Sequence, residues 1–487
     1  MVRCKSWPVT SPGRVFWAPR GGFSRMESTK VAMMEGTTGT QGRKPPSESS
    51  KMGLWAATSI AVGTMIGASI FSIFGLGAQI AGRNLPLVFV LSGVLAFLVA
   101  HSYAQLASRI VSNAGAIEFI LKGFGDGTIA GTSSFLTWFT YAISIALFAK
   151  GFAGYFLPLV GVGATFYTAG LVAVVVILAF TVLGLLGTKA VGRAELAIVL
   201  VKLSILGVFI VLGLRMVHPA WVTPTFAAGH AGGTFTAVAV FFLSYMGFGL
   251  VANASENIRD PERNVPRAIY LSIAIVTLVY VAVALVAVGN VPLAELIRTK
   301  DFALAVAAKP FLGQAGYLLI GIGALFSISS ALNATLFGGA NIAYALATEG
   351  ELPRFFERKE WFGGSLGLYL TAAISLVLSL TFNLNGIASM TSAVFMAIYF
   401  FVLLSHLRLL KEVGGSRIVI LGSIALVVAV FVLLLVHEWR TERTSFYGTW
   451  IIFLAGLTIE LIYRARSRRR LRHRTACAES SSAQDGP

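Results

Sequence analysis

Two apolar stretches combine glycine with hydroxyl residues in a way that could free backbone groups for ligand binding. The first is GTMIGASIFSIFG at 63–75, inside an apolar segment that runs from 53 to 81, and the second is SYMGFG at 244–249. In a helix that crosses a membrane, a break frees N–H and C=O groups that lipid cannot satisfy, so they must face a cavity or a ligand. Helix N-termini attract carboxylates, and free carbonyls attract ammonium groups or cations. A site with both ends suits a zwitterion, which is the charge pattern of an amino acid.

A single lysine in an apolar run is the second feature that could do chemistry. Lys202 lies in AIVLVKLSILG, and a lysine near the middle of a bilayer costs about 2.5–3.5 kcal/mol on insertion scales. Snorkelling is the alternative, but Glu195, seven positions earlier, marks a helix end about 10 Å away, which is a marginal reach. We therefore expect freed carbonyls and hydroxyls to bind the Lys202 ammonium group. The candidates are the carbonyls of Gly63 and Ile66 and the hydroxyls of Ser327, Ser329 and Ser330.

The composition places these features in a membrane protein. The chain of 487 residues is 56% hydrophobic and 12% charged, with a mean hydropathy of +0.79, whereas soluble proteins carry about 25% charged residues. Apolar segments long enough to span a bilayer, about 20 residues, recur about twelve times. They lie near 53–81, 85–108, 129–157, 166–187, 195–214, 234–256, 268–290, 313–347, 366–383, 386–407, 418–437 and 447–463.

The basic residues predict the orientation of these spans. If the N-terminus is cytosolic, 29 of the 38 Lys and Arg residues fall on the cytosolic side and 7 on the other, as the positive-inside rule requires. An even number of spans then leaves both termini in the cytosol. The run RARSRRRLRHR at 464–474 is expected to bind anionic lipids of the inner leaflet. No folded basic domain accompanies it, so nucleic acid is not an expected partner.

The two interrupted segments occupy equivalent places in the chain. They are the first members of two five-span sets, and because five is odd, the second set enters the membrane from the opposite side. Gly63 to Gly67 alone also fits a GxxxG packing face, but paired interruptions in an inverted repeat favour a binding site at the bilayer midplane. The predicted organisation is a disordered basic tail (1–50), the first repeat (51–214), the inverted second repeat (215–410), two extra helices (411–463) and a polybasic cytosolic tail (464–487).

Several kinds of chemistry are not expected. The two cysteines, Cys4 and Cys477, lie in the polar tails and give neither a disulfide framework nor a metal-binding spacing. No HExxH, CxxC or P-loop occurs, and GGSLG at 363–367 follows no predicted strand. Of the 21 carboxylates, only Glu460 is predicted well inside a span, which argues against a carboxylate proton relay and a strongly cationic substrate. We expect no catalytic residue, metal or cofactor.

Four stretches, in order, resemble a known transporter family. GTMIGASIF resembles the first-span signature of the amino acid–polyamine–organocation (APC) transporters. SYAQLASRIVSNAGA (102–116), ASENIRDPERNVPRAI (254–269) and ANIAYALATEGELPRFF (340–356) are similar to their later motifs. Ser69, Gly249 and Gln105 depart from the common glycine, aspartate and glutamate. The resemblance implies an all-α integral membrane fold, with a LeuT-type five-plus-five inverted repeat in which helices one and six are broken. It is strongest to proton-coupled permeases of broad specificity.

The resemblance also sets the register of the predicted site. It implies that the substrate carboxylate is held by the N–H groups of Ala68, Ser69 and Ile70. The substrate ammonium group is assigned to the carbonyls of Ile66, Phe241 and Ser244. Gly67 and Gly247 belong to the breaks, and Phe242, Tyr245 and Phe248 are expected to wall the side-chain pocket. In sodium-coupled relatives a sodium ion bridges spans one and eight, and here Lys202, with Gly63, Ser327 and Ser330, would replace it.

The proton of Lys202 would then be the coupling ion. The expected function is import of amino acids across the plasma membrane, coupled to protons, by alternating access and with neutral side chains preferred. A sodium-independent exchanger or amine transporter is the alternative within transport. A channel or a membrane-embedded enzyme is an alternative of a different class. The repeat and the missing catalytic set argue against both.

Overall fold

The computed structural model describes residues 51–67, 69–112, 114–185, 191–225, 228–348, 352, 356 and 365–467. Of these, 191–197, 228–231, 300 and 466–467 are described by their main chain only. The predicted tail 1–50, Ala68 and residues 468–487 of the predicted C-terminal tail lie outside this part of the chain. Within it the regular secondary structure is helical, and an isolated parallel β-bridge joins Met52 and Ile258.

The α-helices follow the apolar segments closely. The first half of the chain forms α1 (Leu54–Met65), α2 (Ser69–Ser72), α3 (Phe74–Ala81), α4 (Leu85–Arg109), α5 (Ala116–Phe124), α6 (Thr128–Leu159), α7 (Phe166–Leu185), α8 (Val191–Gly213), α9 (Pro219–Val222) and α10 (Ala228–Phe241). The second half forms α11 (Gly249–Asn253), α12 (Pro261–Asn290), α13 (Leu293–Arg298), α14 (Ala303–Ala307), α15 (Lys309–Thr348), α16 (Leu366–Thr381), α17 (Leu384–Arg408), α18 (Leu410–Val413), α19 (Arg417–Thr441) and α20 (Arg443–Ser467). α15 contains a kink at Gly313, whose φ of 60° favours glycine.

Eleven helical segments of the described chain are long and apolar enough to cross a membrane. They match eleven of the expected spans, so an all-α integral membrane protein is the observed fold class. The remaining expected span, near 366–383, is α16, an apolar helix of 16 residues. At 1.5 Å per residue it is about 24 Å long, somewhat shorter than a hydrocarbon core of about 30 Å.

Burial separates central helices from peripheral ones. In the most apolar window of each helix, α17 is 72% buried and α6 67%, whereas α7 and α19 are each 28% buried. Since all of these helices are apolar, the less buried ones present their side chains to lipid. The central helices α6, α15 and α17, with α1 and α12, surround the two interrupted segments.

Both glycine-containing stretches lie where regular α-helix stops. After α1 ends at Met65, the Ile66 N–H bonds to the Val62 carbonyl at 2.9 Å and the Gly67 N–H to the Thr64 carbonyl at 3.1 Å. Helix resumes at Ser69 as α2. In the second stretch α10 ends at Phe241 and a 3-10 segment runs from Phe242 to Phe248 before α11 begins. The expected interruptions are therefore present at both places.

Two carboxylates of the described chain are buried within the protein. α19 continues to Thr441, beyond the predicted end at 437, so Glu438 is fully buried, with a carboxylate oxygen 3.2 Å from the Thr449 hydroxyl. Glu460 is also buried, and Arg464 bonds it at 2.7 Å. Both acids belong to α19 and α20. Among the described residues of α1 to α17, no Asp or Glu is buried.

Candidate functional site

A cavity of about 560 Å³ lies beside the two interruptions, bounded by α1, α6, α15 and α17. Its volume falls within the range of about 300–1,000 Å³ that is usual for small-molecule sites. Six of the predicted site residues line it. They are Gly63, Ser69, Lys202, Ser244, Gly247 and Ser330.

Lys202 and Ser327 both contact the first interruption. The Lys202 ammonium group donates to the Gly63 carbonyl at 2.5 Å, and the residue is only 3% exposed. The Ser327 hydroxyl, on α15, donates to the Gly67 carbonyl and lies 3.5 Å from the Ile66 carbonyl. Two neighbouring helices therefore supply hydrogen-bond donors to the carbonyls that the end of α1 presents.

Tyr280 joins the two interruptions and was not predicted from the sequence. It lies on α12, and its hydroxyl donates to the Met65 carbonyl at 2.5 Å, where α1 ends. The same hydroxyl is 3.3 Å from the Ser244 carbonyl and 3.3 Å from the Ser69 hydroxyl. A single side chain thus contacts both broken segments. The only sequence signal for it is a tyrosine in the apolar run VTLVYVAVALV, where a buried hydroxyl needs a partner.

The predicted aromatic wall lies behind the cavity surface. Phe241, Phe242, Tyr245 and Phe248 are all fully buried and are not among the lining residues. Phe242 and Phe248 pack on the ring of Tyr399 at centroid distances of 5.6 and 5.5 Å. Because Tyr399 does line the cavity, these phenylalanines support the wall from behind.

The remaining predicted residues occupy the same buried layer. Ile66 and Ile70 are fully buried and lie outside the cavity lining, as do Gly67 and Ser327. Ala68 lies outside the described residues. The Tyr245 hydroxyl donates to the Phe89 carbonyl at 2.7 Å, which anchors the second interruption to α4.

Part of the cavity wall had no signal in the sequence. Thr391, Phe395 and Ile398 lie on one face of α17 and line the cavity together with Met246. They come from an apolar helix with no glycine break or charge at this level, so only the packing of α17 against α6 and the 3-10 segment places them here.

The cavity is electrostatically simple. Among the described residues that line it, Lys202 carries the only formal charge, and the other polar groups are hydroxyls and amides. No group of three or more His, Cys, Asp or Glu side chains that could hold a metal ion occurs in the described chain. An ammonium-bearing side chain would therefore enter without a carboxylate partner and near a like charge.

Comparisons with known proteins agree with this architecture. A model of the amino acid permease family matches residues 52–459. An uncharacterized protein of Methanocaldococcus jannaschii is 57% identical over 419 residues, covering 86% of this chain and 96% of that protein. The inner membrane transport protein YbaT of Escherichia coli is 33% identical over 439 residues, covering 88% and 99%. The branched-chain amino acid permease BcaP of Lactococcus lactis is 26% identical over 453 residues, covering 85% and 94%.

The family match extends over most of the chain, and the relatives that carry functional names are transport proteins rather than enzymes. The matched residues, 52–459, also include both interrupted segments and the helices around the cavity. The chain belongs to the amino acid permease family, within the APC superfamily of membrane transporters.

Proposed function

We propose that this protein is a secondary active transporter that imports amino acids together with protons, by alternating access. The observation that carries the proposal is the contact between the Lys202 ammonium group and the Gly63 carbonyl, at the edge of the cavity and next to the first interruption. Family membership supports amino-acid transport, and Lys202 supports the choice of the proton as the coupling ion.

The substrate is proposed to bind between the two interruptions. The N–H groups at the start of α2, from Ala68 to Ile70, would hold its carboxylate, because a helix N-terminus favours an anion. The carbonyls of Ile66, Phe241 and Ser244 would accept from its ammonium group. The position of Tyr280 between Met65 and Ser244 supports this arrangement, since it fixes the two broken segments relative to each other.

Lys202 is proposed to link protonation to the conformation of α1. When charged, it donates to the Gly63 carbonyl and fastens α8 to α1, while Ser327 holds the same segment to α15. Release of the proton would remove the positive charge of the donor and weaken this contact. α1 would then be free to move and open the cavity to one side.

The absence of an acid from the cavity lining supports a preference for neutral side chains. A lysine or arginine substrate would bring a second positive charge near Lys202. The described residues that line the cavity include no carboxylate to pair with that charge. Amino acids such as alanine or serine require no such partner. Broad acceptance of neutral side chains is consistent with a wall of Met246, Phe395 and Ile398, because such apolar contacts carry little directional specificity.

The membrane orientation is proposed from charge. Both tails would be cytosolic in the plasma membrane, and the polybasic tail would bind anionic inner-leaflet lipids. This topology requires the short helix α16 to cross the bilayer. Cysteines introduced at Arg298 and Arg417 should then react with an impermeant reagent from opposite sides, and reaction of both from one side would overturn it.

The proposed coupling can be tested by uptake of radiolabelled alanine into proteoliposomes under an imposed pH or sodium gradient. Wild-type protein should accumulate alanine under the pH gradient, and a sodium gradient should cause no accumulation. Lys202→Met should lose pH-driven accumulation, whereas Lys150→Met should keep it. Lys150 is a matched control, because it is also a buried lysine in a span but lies over the Phe166 ring at 4.4 Å, outside the cavity lining. Accumulation driven by sodium, or full pH-driven accumulation by Lys202→Met, would contradict the proposal.

A further inference from the structure

A row of polar side chains extends the cavity away from the interruptions. On α6 it consists of Thr137, Thr140, Tyr141 and Ser144, whose spacing of three, four and seven places them on one helix face. On α15 it consists of Ser330 and Asn333. We call this set the polar strip. None of its members is predicted from the sequence to bind the substrate, and Ser330 is predicted only as a partner of Lys202.

The strip contains two kinds of polar side chain. Thr137 and Thr140 donate to the Ser133 and Thr137 carbonyls of their own helix at 2.7 and 2.6 Å. The nearby hydroxyls of Thr64 and Ser69 donate to carbonyls four residues earlier on their own chain segment, at 2.8 and 3.1 Å. The side chains of Ser144, Ser330 and Asn333, by contrast, make no hydrogen bond within the described chain. They line the cavity and are neither fully buried nor fully exposed. Their donors and acceptors therefore remain available to whatever occupies the cavity.

The strip has a direction because α6 and α15 pack antiparallel. A Cβ at Gly321 would lie 3.2 Å from Leu159 atoms, and one at Gly339 would lie 2.9 Å from the Cβ of Tyr141. From Ser330 to the level of Gly339 is about 14 Å along the helix axis. The strip thus runs from the interruptions toward the side of the bundle where α6 begins and α15 ends.

The cavity is larger than a small amino acid held between the two interruptions would need. Leaving that position means giving up charge-assisted hydrogen bonds, and loss of such bonds without replacement is costly for a zwitterion. The strip offers replacement partners to such a substrate, namely the hydroxyls of Ser144 and Ser330 and the amide of Asn333.

We propose that the polar strip is a second subsite for the zwitterionic substrate, on its release route between α6 and α15. The strip binds the ammonium and carboxylate groups through side-chain hydroxyls and an amide, without the partial charges of the helix ends at the interruptions, so it holds the substrate more weakly and lets it leave. This inference rests on the proposed amino-acid transport, and it concerns a place in the cavity that transport alone does not require.

Cysteine protection tests the subsite, and the chain is well suited to it. Its two cysteines, Cys4 and Cys477, can be replaced with serine. Single cysteines are then introduced on the strip (Ser144→Cys and Asn333→Cys), across the cavity (Asn253→Cys) and beside the strip on α15 but outside the lining (Ser329→Cys). Each variant is reacted with an impermeant methanethiosulfonate in oriented vesicles, with and without alanine.

The strip cysteines should react from one side only. Alanine at ten times the concentration that gives half-maximal protection of these cysteines should slow their reaction about tenfold, because protection scales with occupancy of the strip. Asn253→Cys should react from the same side with little protection, and Ser329→Cys should show no effect of alanine. Equal protection at 144, 333 and 253 would indicate closure of the whole cavity and would overturn the subsite, as would no protection or no reaction at 144 and 333.

Alanine uptake by the cysteine-free parent separates this inference from the proposed function. If the parent transports alanine and the strip is unprotected, the subsite alone is wrong. If the purified wild-type protein moves no amino acid, the proposed function is wrong. A second measurement uses Asn333→Leu, which should lower the maximal uptake rate several-fold, while Gln314→Leu, at an exposed amide of the same helix outside the lining, leaves it unchanged. An unaltered rate in Asn333→Leu would contradict the inference.

Discussion

Replacement of Tyr280 by phenylalanine should weaken substrate binding without unfolding the protein. The substitution keeps the ring, which packs against Phe89 and Tyr245 at centroid distances of 5.1 and 5.6 Å. It removes only the hydroxyl that donates to the Met65 carbonyl and approaches the Ser244 carbonyl. The two interruptions then lose the side chain that joins them, and the proposed substrate contacts are less well fixed.

The size of the effect follows from the partners that remain. Leaving a buried acceptor without its donor costs about 1–3 kcal/mol, and each 1.4 kcal/mol corresponds to about tenfold in binding. The Met65 carbonyl keeps the Ser69 hydroxyl at 3.1 Å, so it is not left without a partner. We therefore expect the low end of this range, a rise of about five- to tenfold in the KM for alanine.

The assay is initial-rate uptake of radiolabelled alanine, with the Tm of each variant measured in parallel. Tyr270→Phe is the matched control, since Tyr270 is on the same helix and its hydroxyl bonds the His101 ring at 2.9 Å, outside the cavity lining. An unchanged KM in Tyr280→Phe, or equal changes in both variants, would refute the role given to Tyr280.

Two further outcomes follow from packing and charge. Gly247→Ala should greatly reduce transport, because the new Cβ would lie 2.7 Å from the Met65 Cγ and 2.9 Å from the Met65 N. The control is Gly249→Ala, whose Cβ would meet no atom within 4 Å and which should retain transport. Alanine uptake by the two variants checks this prediction, and equal activity would contradict it. Arg464→Gln should lower the Tm by several degrees, because Arg464 binds Asp126 at 2.6 Å and the buried Glu460 at 2.7 Å. Lys122→Gln, which breaks only an exposed contact of 3.8 Å, should leave the Tm unchanged, and equal shifts in a thermal melt would be the contrary result.

Much of the architecture could be predicted from the sequence because lipid imposes strict demands on a chain. Apolar length gave eleven of the spans, and glycine with hydroxyl residues marked both interruptions. α16 was harder to assign, since a 16-residue apolar helix fits a short span and a buried helix equally well. α19 ends at Thr441, one turn beyond the predicted end at 437, and this last turn contacts α20 through Glu438 and Thr449, a contact that no local signal reveals.

Part of the candidate site could also be predicted from the sequence, because polar groups within an apolar span need partners. Lys202 stood out because an isolated lysine in an apolar run needs partners, and the structure places it on the Gly63 carbonyl. Tyr280 and the α17 wall did not stand out. Their roles depend on how α12 and α17 rotate against the interruptions, and tertiary packing sets that rotation. The residues assigned to substrate binding and the role of Lys202 in proton coupling remain proposals.

The most direct test of the central claim is to follow protons and substrate together. Purified protein is reconstituted into vesicles that contain a trapped pH-sensitive dye, with equal buffer on both sides and no sodium. Addition of alanine outside should acidify the lumen for wild-type protein and for Lys150→Met, and should leave the lumen pH unchanged for Lys202→Met. Alanine uptake by wild-type protein without acidification, or acidification of equal size with Lys202→Met, would contradict proton coupling through Lys202.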